Sequence, residues 1–165
     1  MDFLDSVSPA GQTTQNCPEK IRQTALRLLT RRNHSKQELL QKLRRRGHSI
    51  EAISPILEDL LRVGLLNDAG FAENYIHWRR QKGYGPDRIA LELKARGIAP
   101  ETIAELLQIT DNAWFIEIQR VWRKQFKGTV PTDFKSRAKQ MRFLQYRGFT
   151  HEQINSLLKD TYDQE

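Results

Sequence analysis

The chain has 165 residues, of which 38% are hydrophobic and 28% charged, and its 27 Lys and Arg against 20 Asp and Glu give a formal net charge of +7. This composition is typical of a globular protein and excludes a disordered or low-complexity chain. The single cysteine, Cys17, excludes an internal disulfide and any metal site built from several cysteines. We recognise neither a signal peptide nor an apolar run of the roughly 18 residues that a membrane span needs, so a cytoplasmic protein is expected.

The chain begins with a polar tail that is followed by two predicted helices. Residues 1–17 show no apolar periodicity, and we expect them to be disordered. Pro18 opens the first helix, because proline is tolerated in a first turn. Ser35 and Glu38 form a capping box that opens the second helix, and Gly47, expected at positive φ, closes it.

A proline complicates the third predicted helix, which closes at Gly64. Pro55 lies within the apolar pattern of this helix but lacks the N–H group that a helix interior requires. Two interpretations stay open. The helix begins at Ser54 with Pro55 in its first turn, or it runs through Pro55 with a kink.

Three further helices are predicted from residue 68 onward. Asp68 is expected to cap the first of them. Gly85 and Pro86 are the expected cap and first residue of the next helix, which ends at Gly97. Pro100 begins the third helix, so the order of helices is the same as in the preceding segment.

The last segment again predicts three helices. The first starts at Thr110 or Asp111 and is rich in aromatic residues, and an insertion at residues 127–132 precedes the second. A capping box of Thr150 and Gln153 opens the last helix. No segment has the alternating pattern of a strand, so an all-α protein is predicted.

One supersecondary unit occurs three times along the chain. Residues 35–47 align without a gap with residues 85–97, fifty positions later, and residues 141–158 continue the pattern after another fifty-one. Units of this size cannot bury a sufficient core alone and must stack on their neighbours. We therefore predict a tandem array of three three-helix repeats, with boundaries at 1–17 for the tail and 18–64, 65–109 and 110–165 for the repeats.

Positive charge is concentrated in the repeats. All 27 basic residues but only 18 of the acidic ones lie after residue 17, which gives a net charge of +9 there. Such a surface favours a polyanion or an acidic protein as partner, and the simpler alternative is a basic surface that keeps the protein soluble. The candidate contact residues are Arg44, Arg45, Arg46, Arg79, Arg80, Lys82, Arg88, Lys94, Arg96, Arg120, Arg123, Lys124, Lys127, Lys135, Arg137, Lys139, Arg142 and Arg147.

Three of these arginines occupy equivalent positions in the repeats. Arg46, Arg96 and Arg147 are expected to recur along one side of the array. However, an arginine in the last turn of a helix is stabilised by about 0.3–1 kcal/mol through the helix dipole, whether or not a partner is present. Among the aromatic residues near basic ones, only Trp78 and Tyr84 are not expected to be buried.

We find no catalytic or metal-binding constellation in the sequence. The four histidines lie far apart, and the glycines at 83 and 85 are neither preceded by a strand nor followed by the Lys-Ser/Thr of a phosphate-binding loop. No enzymatic activity, cofactor or small-molecule substrate is therefore expected.

The segment from Gly64 to Ile98 resembles the signature region of the RecX family, bacterial regulatory proteins that modulate the RecA recombinase. Residues 34–43 and 142–149 are similar to the first and third repeats of that family, and the likeness covers about residues 18–162. The matching residues of the signature region are Gly64, Leu66, Asp68, Phe71, Ala72, Arg79, Gly83, Gly85, Ile89, Leu93, Gly97 and Ile98.

The resemblance implies an elongated, curved protein that binds RecA filaments on single-stranded DNA. It implies binding in the filament groove, a block of extension, and inhibition of ATP hydrolysis, strand exchange and the co-protease activity of the SOS response. We expect a monomer with weak direct DNA binding and no membrane association. Two alternatives stay open: a nucleic-acid-binding protein whose repeats act like helix-turn-helix readers, and a structural adaptor for another acidic protein.

Overall fold

The computed structural model of the chain describes residues 16–108 and 111–160. Within these ranges the regular secondary structure consists of helices alone, which confirms the all-α prediction. None of them is both long and apolar enough to cross a bilayer. The helices are α1 (Pro18–Leu29), α2 (Lys36–Arg44), α3 (Ile50–Arg62), α4 (Asp68–Gln81), α5 (Pro86–Lys94), α6 (Pro100–Leu107), α7 (Asp111–Phe126), α8 (Phe134–Arg147) and α9 (His151–Asp160).

The chain divides into two compact units, Met1–Phe71 and Ala72–Glu165. In the first unit, α1, α2 and α3 pack on one another and enclose a core that also includes Leu66. The core residues are the apolar positions of the helical pattern: Ile21, Ala25, Leu28, Leu39, Leu43, Ile53, Leu57 and Leu60. In the second unit, α5 packs on α6, while α7, α8 and α9 pack on one another.

Most of the predicted tail lies outside the described residues. Its last two residues are described: the Asn16 Oδ1 atom accepts a hydrogen bond from the Ser49 amide at 3.0 Å, and Cys17 is the N-cap residue of α1. Pro18 is the first residue of α1, as predicted.

The prediction that Asp68 caps α4 is wrong. Asp68 is the first residue inside α4, and the cap position belongs to Asn67, whose Oδ1 atom accepts the Gly70 amide at 3.0 Å. Asparagine caps helices as well as aspartate does, so a pair of good caps in succession leaves the boundary ambiguous by one residue. The Asp68 carboxylate instead accepts the Lys36 amide in the first turn of α2, at 2.7 Å.

The third helix begins well before its proline. α3 runs through Pro55, and its N-cap is Ser49, whose hydroxyl accepts the Ala52 amide at 3.3 Å. A start at Ser54 is therefore wrong. The proline removes one hydrogen bond, but the apolar face of α3 is buried on both sides of it, at Ile53 and Leu57, and this tertiary packing offsets the local cost.

A left-handed glycine closes the second helix of each repeat. Gly47, Gly97 and Gly148 have φ of 88°, 77° and 89°, which confirms the positive φ expected at Gly47. In each case the amide of the following residue bonds the carbonyl five positions earlier, at 3.2 to 3.4 Å. This is the Schellman arrangement, which satisfies carbonyls that the end of a helix leaves without partners.

The start of α5 is capped by the end of α8. Gly85 and Pro86 are its cap and first residue, as predicted, but glycine has no side chain to accept the free amides. The Arg147 carbonyl accepts the Gly85 amide at 2.9 Å, and the Gly148 carbonyl accepts the Asp87 amide at 3.0 Å. A Cβ atom at position 85 would lie 2.4 Å from the Gly148 oxygen, so the contact requires glycine.

The third repeat contains a buried polar contact. Gln140 is only 5% exposed, and its side chain accepts the Trp122 indole N–H at 2.8 Å and donates to the Thr129 carbonyl at 2.9 Å. The contact fixes the 127–132 insertion against α7 and α8. The capping box is also confirmed, since Thr150 and Gln153 exchange amide-to-side-chain hydrogen bonds of 3.0 and 3.2 Å.

Candidate functional site

The eighteen basic candidates fall into two classes according to what holds their side chains. In the first class, the guanidinium group bonds to or stacks on other elements of the fold; its members are Arg79, Arg80, Arg88, Arg96, Arg120 and Arg147. In the second, the side chain is exposed; its members are Arg44, Arg45, Arg46, Lys82, Lys94, Arg123, Lys124, Lys127, Lys135, Lys139 and Arg142. The remaining candidate, Arg137, is partly buried.

Glu92 bonds to three of the four arginines of the second repeat. It forms an ion pair with Arg79, whose side chain is only 11% exposed, and it accepts the Arg88 Nε–H at 3.2 Å. The Tyr75 hydroxyl donates to its other carboxylate oxygen at 2.8 Å. Arg96 donates to the Glu92 carbonyl at 2.8 Å and lies 4.5 Å from the centre of the Tyr75 ring. Glu92 thus binds two arginines through its carboxylate and a third through its backbone carbonyl.

The pKa values of Glu92 and Tyr75 follow from this arrangement. Burial alone would raise the pKa of Glu92, but hydrogen bonds from Arg79, Tyr75 and Arg88 outweigh it and lower the pKa below its ordinary value. For Tyr75, burial and the hydrogen bond to Glu92 both favour the neutral phenol and raise its pKa to about 12. The carboxylate is therefore charged and the phenol neutral throughout the physiological pH range.

Tyr84 lies among three guanidinium groups. The Cζ atoms of Arg79, Arg88 and Arg147 lie 3.7, 4.7 and 5.3 Å from the centre of its ring. Cations stacked on an aromatic face gain about 0.5–2 kcal/mol each. The arginines come from α4, α5 and α8, so the tyrosine ring joins the second repeat to the third.

A second ion-pair group ties α4 to α7. Glu117 pairs with Arg80 at 3.6 Å and with Arg120 at 2.8 Å, and Arg120 also donates to the Arg80 carbonyl at 2.9 Å. The Arg80 guanidinium lies 5.1 Å from the centre of the buried Trp114 ring. Arg80 and Arg120 therefore hold the fold together, which their charge alone did not indicate.

The exposed cations of the third repeat form two rows. On α7, Arg123 and Lys124 lie one turn before Lys127, which follows the helix end at φ 55°. On α8, Lys135, Lys139 and Arg142 follow the i, i+4, i+7 spacing of one helix face, and all three are exposed. Within the described part of the chain, no carboxylate lies within ion-pair distance of either row. These cations are available to a partner.

The three equivalent arginines do not behave alike. Arg46 and Arg96 lie just beyond the ends of α2 and α5, and each donates to the carbonyl four residues earlier, in the last turn of the helix, at 3.2 and 2.8 Å, as the helix-dipole interpretation predicts. Arg147 instead reaches the Lys82 carbonyl at the end of α4, at 3.2 Å. The prediction that all three recur along one side of the array stays a prediction.

Two exposed aromatic residues were missed by the sequence analysis. Phe134 is 88% and Tyr146 75% exposed, so the expectation that only Trp78 and Tyr84 escape burial is wrong. A helical wheel would have indicated Tyr146, because it follows the fully buried Leu144 by two positions and therefore points to the opposite side of α8. No grouping of His, Cys, Asp and Glu suited to a metal occurs among the described residues.

Comparison with known proteins identifies relatives of all three repeats. The models of the first, second and third three-helix domains of RecX match residues 22–60, 67–107 and 117–158, each within one predicted repeat. The regulatory protein RecX of Pseudomonas entomophila (strain L48) is 44% identical over 148 residues, which cover 88% of this chain and 96% of the relative. That of Halorhodospira halophila (strain DSM 244 / SL1) is 43% identical over 138 residues, covering 84% and 86%.

Solved structures show the same fold. The crystal structure of RecX from Lactobacillus salivarius superposes with a TM-score of 0.76 at 22% identity, covering 87% of this chain and 96% of that one. A second crystal structure, of a regulatory protein RecX, gives a TM-score of 0.76 at 21% identity and covers 96% of this chain and 79% of the other.

Proposed function

The chain belongs to the RecX family, and from this premise we propose that it is a negative regulator of the RecA recombinase. It binds the groove of the RecA filament on single-stranded DNA, blocks filament extension, and inhibits ATP hydrolysis, strand exchange and the SOS co-protease activity. It acts as a cytoplasmic monomer without catalytic activity of its own. The observation that carries the proposal is the match of three consecutive RecX domains, together with a relative that is 44% identical over most of the chain.

The charge distribution supports a filament as the partner. The proposed contacts are the eleven exposed cations of the second class, since the first class is occupied within the fold. An exposed ion pair contributes at most about 1 kcal/mol, so no single cation among them suffices for tight binding. A filament repeats its negative surface at regular intervals, and several weak contacts on one chain then combine through their effective concentration.

We expect this protein to inhibit the ATPase of RecA at substoichiometric levels. The rate of ATP hydrolysis by RecA on single-stranded DNA is measured while the protein is titrated at fixed DNA concentration. Loss of activity well below the RecA protomer concentration is expected, because one bound molecule that blocks extension affects many protomers. An unchanged rate at every protein concentration would contradict the proposed function.

The row on α7 provides a residue-level prediction. Replacing Arg123→Glu and Lys124→Glu reverses two exposed charges without breaking a contact with another element of the fold. We therefore expect weaker inhibition and a drop in melting temperature no larger than the loss of two favourable helix-dipole interactions accounts for. Arg120→Glu is the comparison, because Arg120 binds Glu117 and the Arg80 carbonyl; this change should lower the melting temperature. Unchanged inhibition by the double variant would remove this row from the filament contact.

The same rows favour a second candidate function, direct binding of nucleic acid. Its affinity would fall steeply with salt, as the release of counterions requires. ATPase inhibition that appears only near DNA-saturating protein levels, and that extra DNA relieves, would favour this candidate. Weak DNA binding alone would not favour direct nucleic-acid binding as the function, because any surface this basic attracts a polyanion.

A further inference from the structure

A cavity at the junction of α4, α7 and α8 is lined by four cations. It has a volume of about 180 Å³, and the positively charged residues in its wall are Lys82, Arg120, Lys124 and Arg147. None of the described residues in its lining is a carboxylate. This volume is ample for a tetrahedral oxyanion.

The cavity differs from the larger groove beside it. That groove, of about 560 Å³ between α5 and the end of α8, contains Arg88 and Arg96 but also Asp87 and Glu92. Its formal charges cancel, so it offers no net attraction to an anion. The junction cavity concentrates positive charge without such compensation in its wall.

The groups surrounding the cavity reduce this charge only in part. The C-terminal ends of α4, α7 and α8 all lie at the cavity, and each carries about half a negative charge. Two carbonyls at the end of α4 are covered, because Arg120 donates to the Arg80 oxygen and Arg147 to the Lys82 oxygen. Glu117, behind Arg120, removes one more charge. About one and a half positive charges remain, which is comparable with the charge of a phosphate group.

The two lysines are the groups free to bind. Both are exposed, and neither side chain has an ion-pair partner within the described ranges. Lys82 follows α4 and Lys124 lies on α7, so an anion held by both ammonium groups would connect the second repeat to the third. Gly83 permits the close packing of this wall, because a Cβ atom there would lie 2.9 Å from a Val121 methyl group.

From this geometry we infer that the junction cavity is a phosphate-binding site, in which Lys82 and Lys124 hold the oxyanion and Arg120 and Arg147 form the positive wall behind it. The phosphate that binds there belongs either to the backbone of a nucleic-acid strand or to free phosphate in solution. The site goes beyond the proposed function, because it is occupied without RecA and is tested without it. If the protein fails to inhibit the RecA ATPase, this inference is unaffected. If phosphate fails to bind, the proposed regulation of RecA is unaffected.

The first test is thermal unfolding of the full chain in sodium phosphate and in sodium chloride at equal ionic strength and pH. A ligand that binds the folded state raises the melting temperature, and its concentration dependence gives the affinity. We expect extra stabilisation by phosphate and a loss of affinity of at least about tenfold in Lys82→Ala/Lys124→Ala, because two charge-assisted hydrogen bonds disappear.

Matched variants make this test specific. Lys94→Ala/Lys135→Ala removes the same charge from exposed positions outside the cavity and should keep the phosphate effect, as should Lys82→Arg/Lys124→Arg, which preserves both cations. Equal stabilisation of the wild type by the two salts would overturn the inference. So would an undiminished phosphate effect in Lys82→Ala/Lys124→Ala.

The second test distinguishes the sources of phosphate. Binding of a fluorescent oligothymidylate is followed by anisotropy as salt is varied. If the strand supplies the phosphate, the slope of log affinity against log salt falls by about 0.7 in the Lys82→Ala/Lys124→Ala variant, because the two lysines together hold one phosphate. If the Lys82→Ala/Lys124→Ala variant loses the stabilisation by phosphate but keeps the wild-type salt slope, the site binds free phosphate, and the inference holds in that form.

Discussion

Gly148→Ala is expected to destabilise the second unit severely. A Cβ atom at this position would lie 2.3 Å from the Arg88 Cβ and 2.6 Å from the Arg88 amide nitrogen, and Gly148 has φ +89°. The left-handed conformation costs a residue with a side chain about 1–2 kcal/mol, and overpacking adds about 1–3 kcal/mol. Most of the clash is with backbone, so rotation of a side chain cannot relieve it. The free energy of unfolding in urea measures the loss.

The control for this variant is Gly128→Ala. Gly128 has φ +74°, and a Cβ atom there would meet nothing within 4 Å, so only the conformational cost of about 1–2 kcal/mol applies. The difference between the two variants isolates the contact between the second and third repeats. Equal destabilisation would show that this contact is not close in solution.

Glu92→Gln is expected to lower the free energy of unfolding by about 2–3 kcal/mol. The substitution preserves shape but leaves Arg79 and Arg88 without their counter-charge, and Arg79 is only 11% exposed. Breaking a fully buried ion pair costs about 3–5 kcal/mol, and the partial exposure of Glu92 places this variant below that range. The control is Glu58→Gln, which breaks the exposed pair with Lys36 and should cost less than about 1 kcal/mol.

The same variant should change the pH dependence of stability. Because the pKa of Glu92 is lower in the folded protein than its ordinary value of 4.5, its contribution is present above pH 4.5 and is lost as the pH falls towards the lowered pKa. In the Glu92→Gln variant this loss is absent, so its stability should fall less steeply below that pH. If the stability of the wild type and of the Glu92→Gln variant falls with the same slope below pH 4.5, the lowered pKa of Glu92 is contradicted.

The features predictable from sequence were those decided by neighbouring residues. The glycine at the end of α2 and the Thr150–Gln153 box depend on contacts within a few positions, and the structure confirms them. Asn67 was passed over because two good caps stand in succession, and burial on both sides of Pro55 outweighed its local cost. The first case is an ambiguity between two adjacent caps, and the second was decided by tertiary packing, which no local rule contains.

The candidate site was predictable in composition but not in arrangement. Arg79 and Arg123 look alike in sequence, since each is a basic residue late in an amphipathic helix. Arg79 bonds to Glu92, thirteen positions away, and stacks on Tyr84, whereas Arg123 is exposed. Charge and repeat position locate the basic residues, but only the fold shows which cations are already occupied.

The bond from the Lys36 amide to Asp68 has an expected consequence for folding during synthesis. The first three helices end at Arg62, yet their core includes Leu66, and the start of α2 is satisfied by Asp68. We therefore expect a nascent chain to complete its first unit only after the opening turn of the next repeat has left the ribosome. For the same reason we expect a fragment cut at Gly64 to have a lower melting temperature than one extended through Phe71, which retains both residues. The repeats are separable in sequence but overlap as folding units.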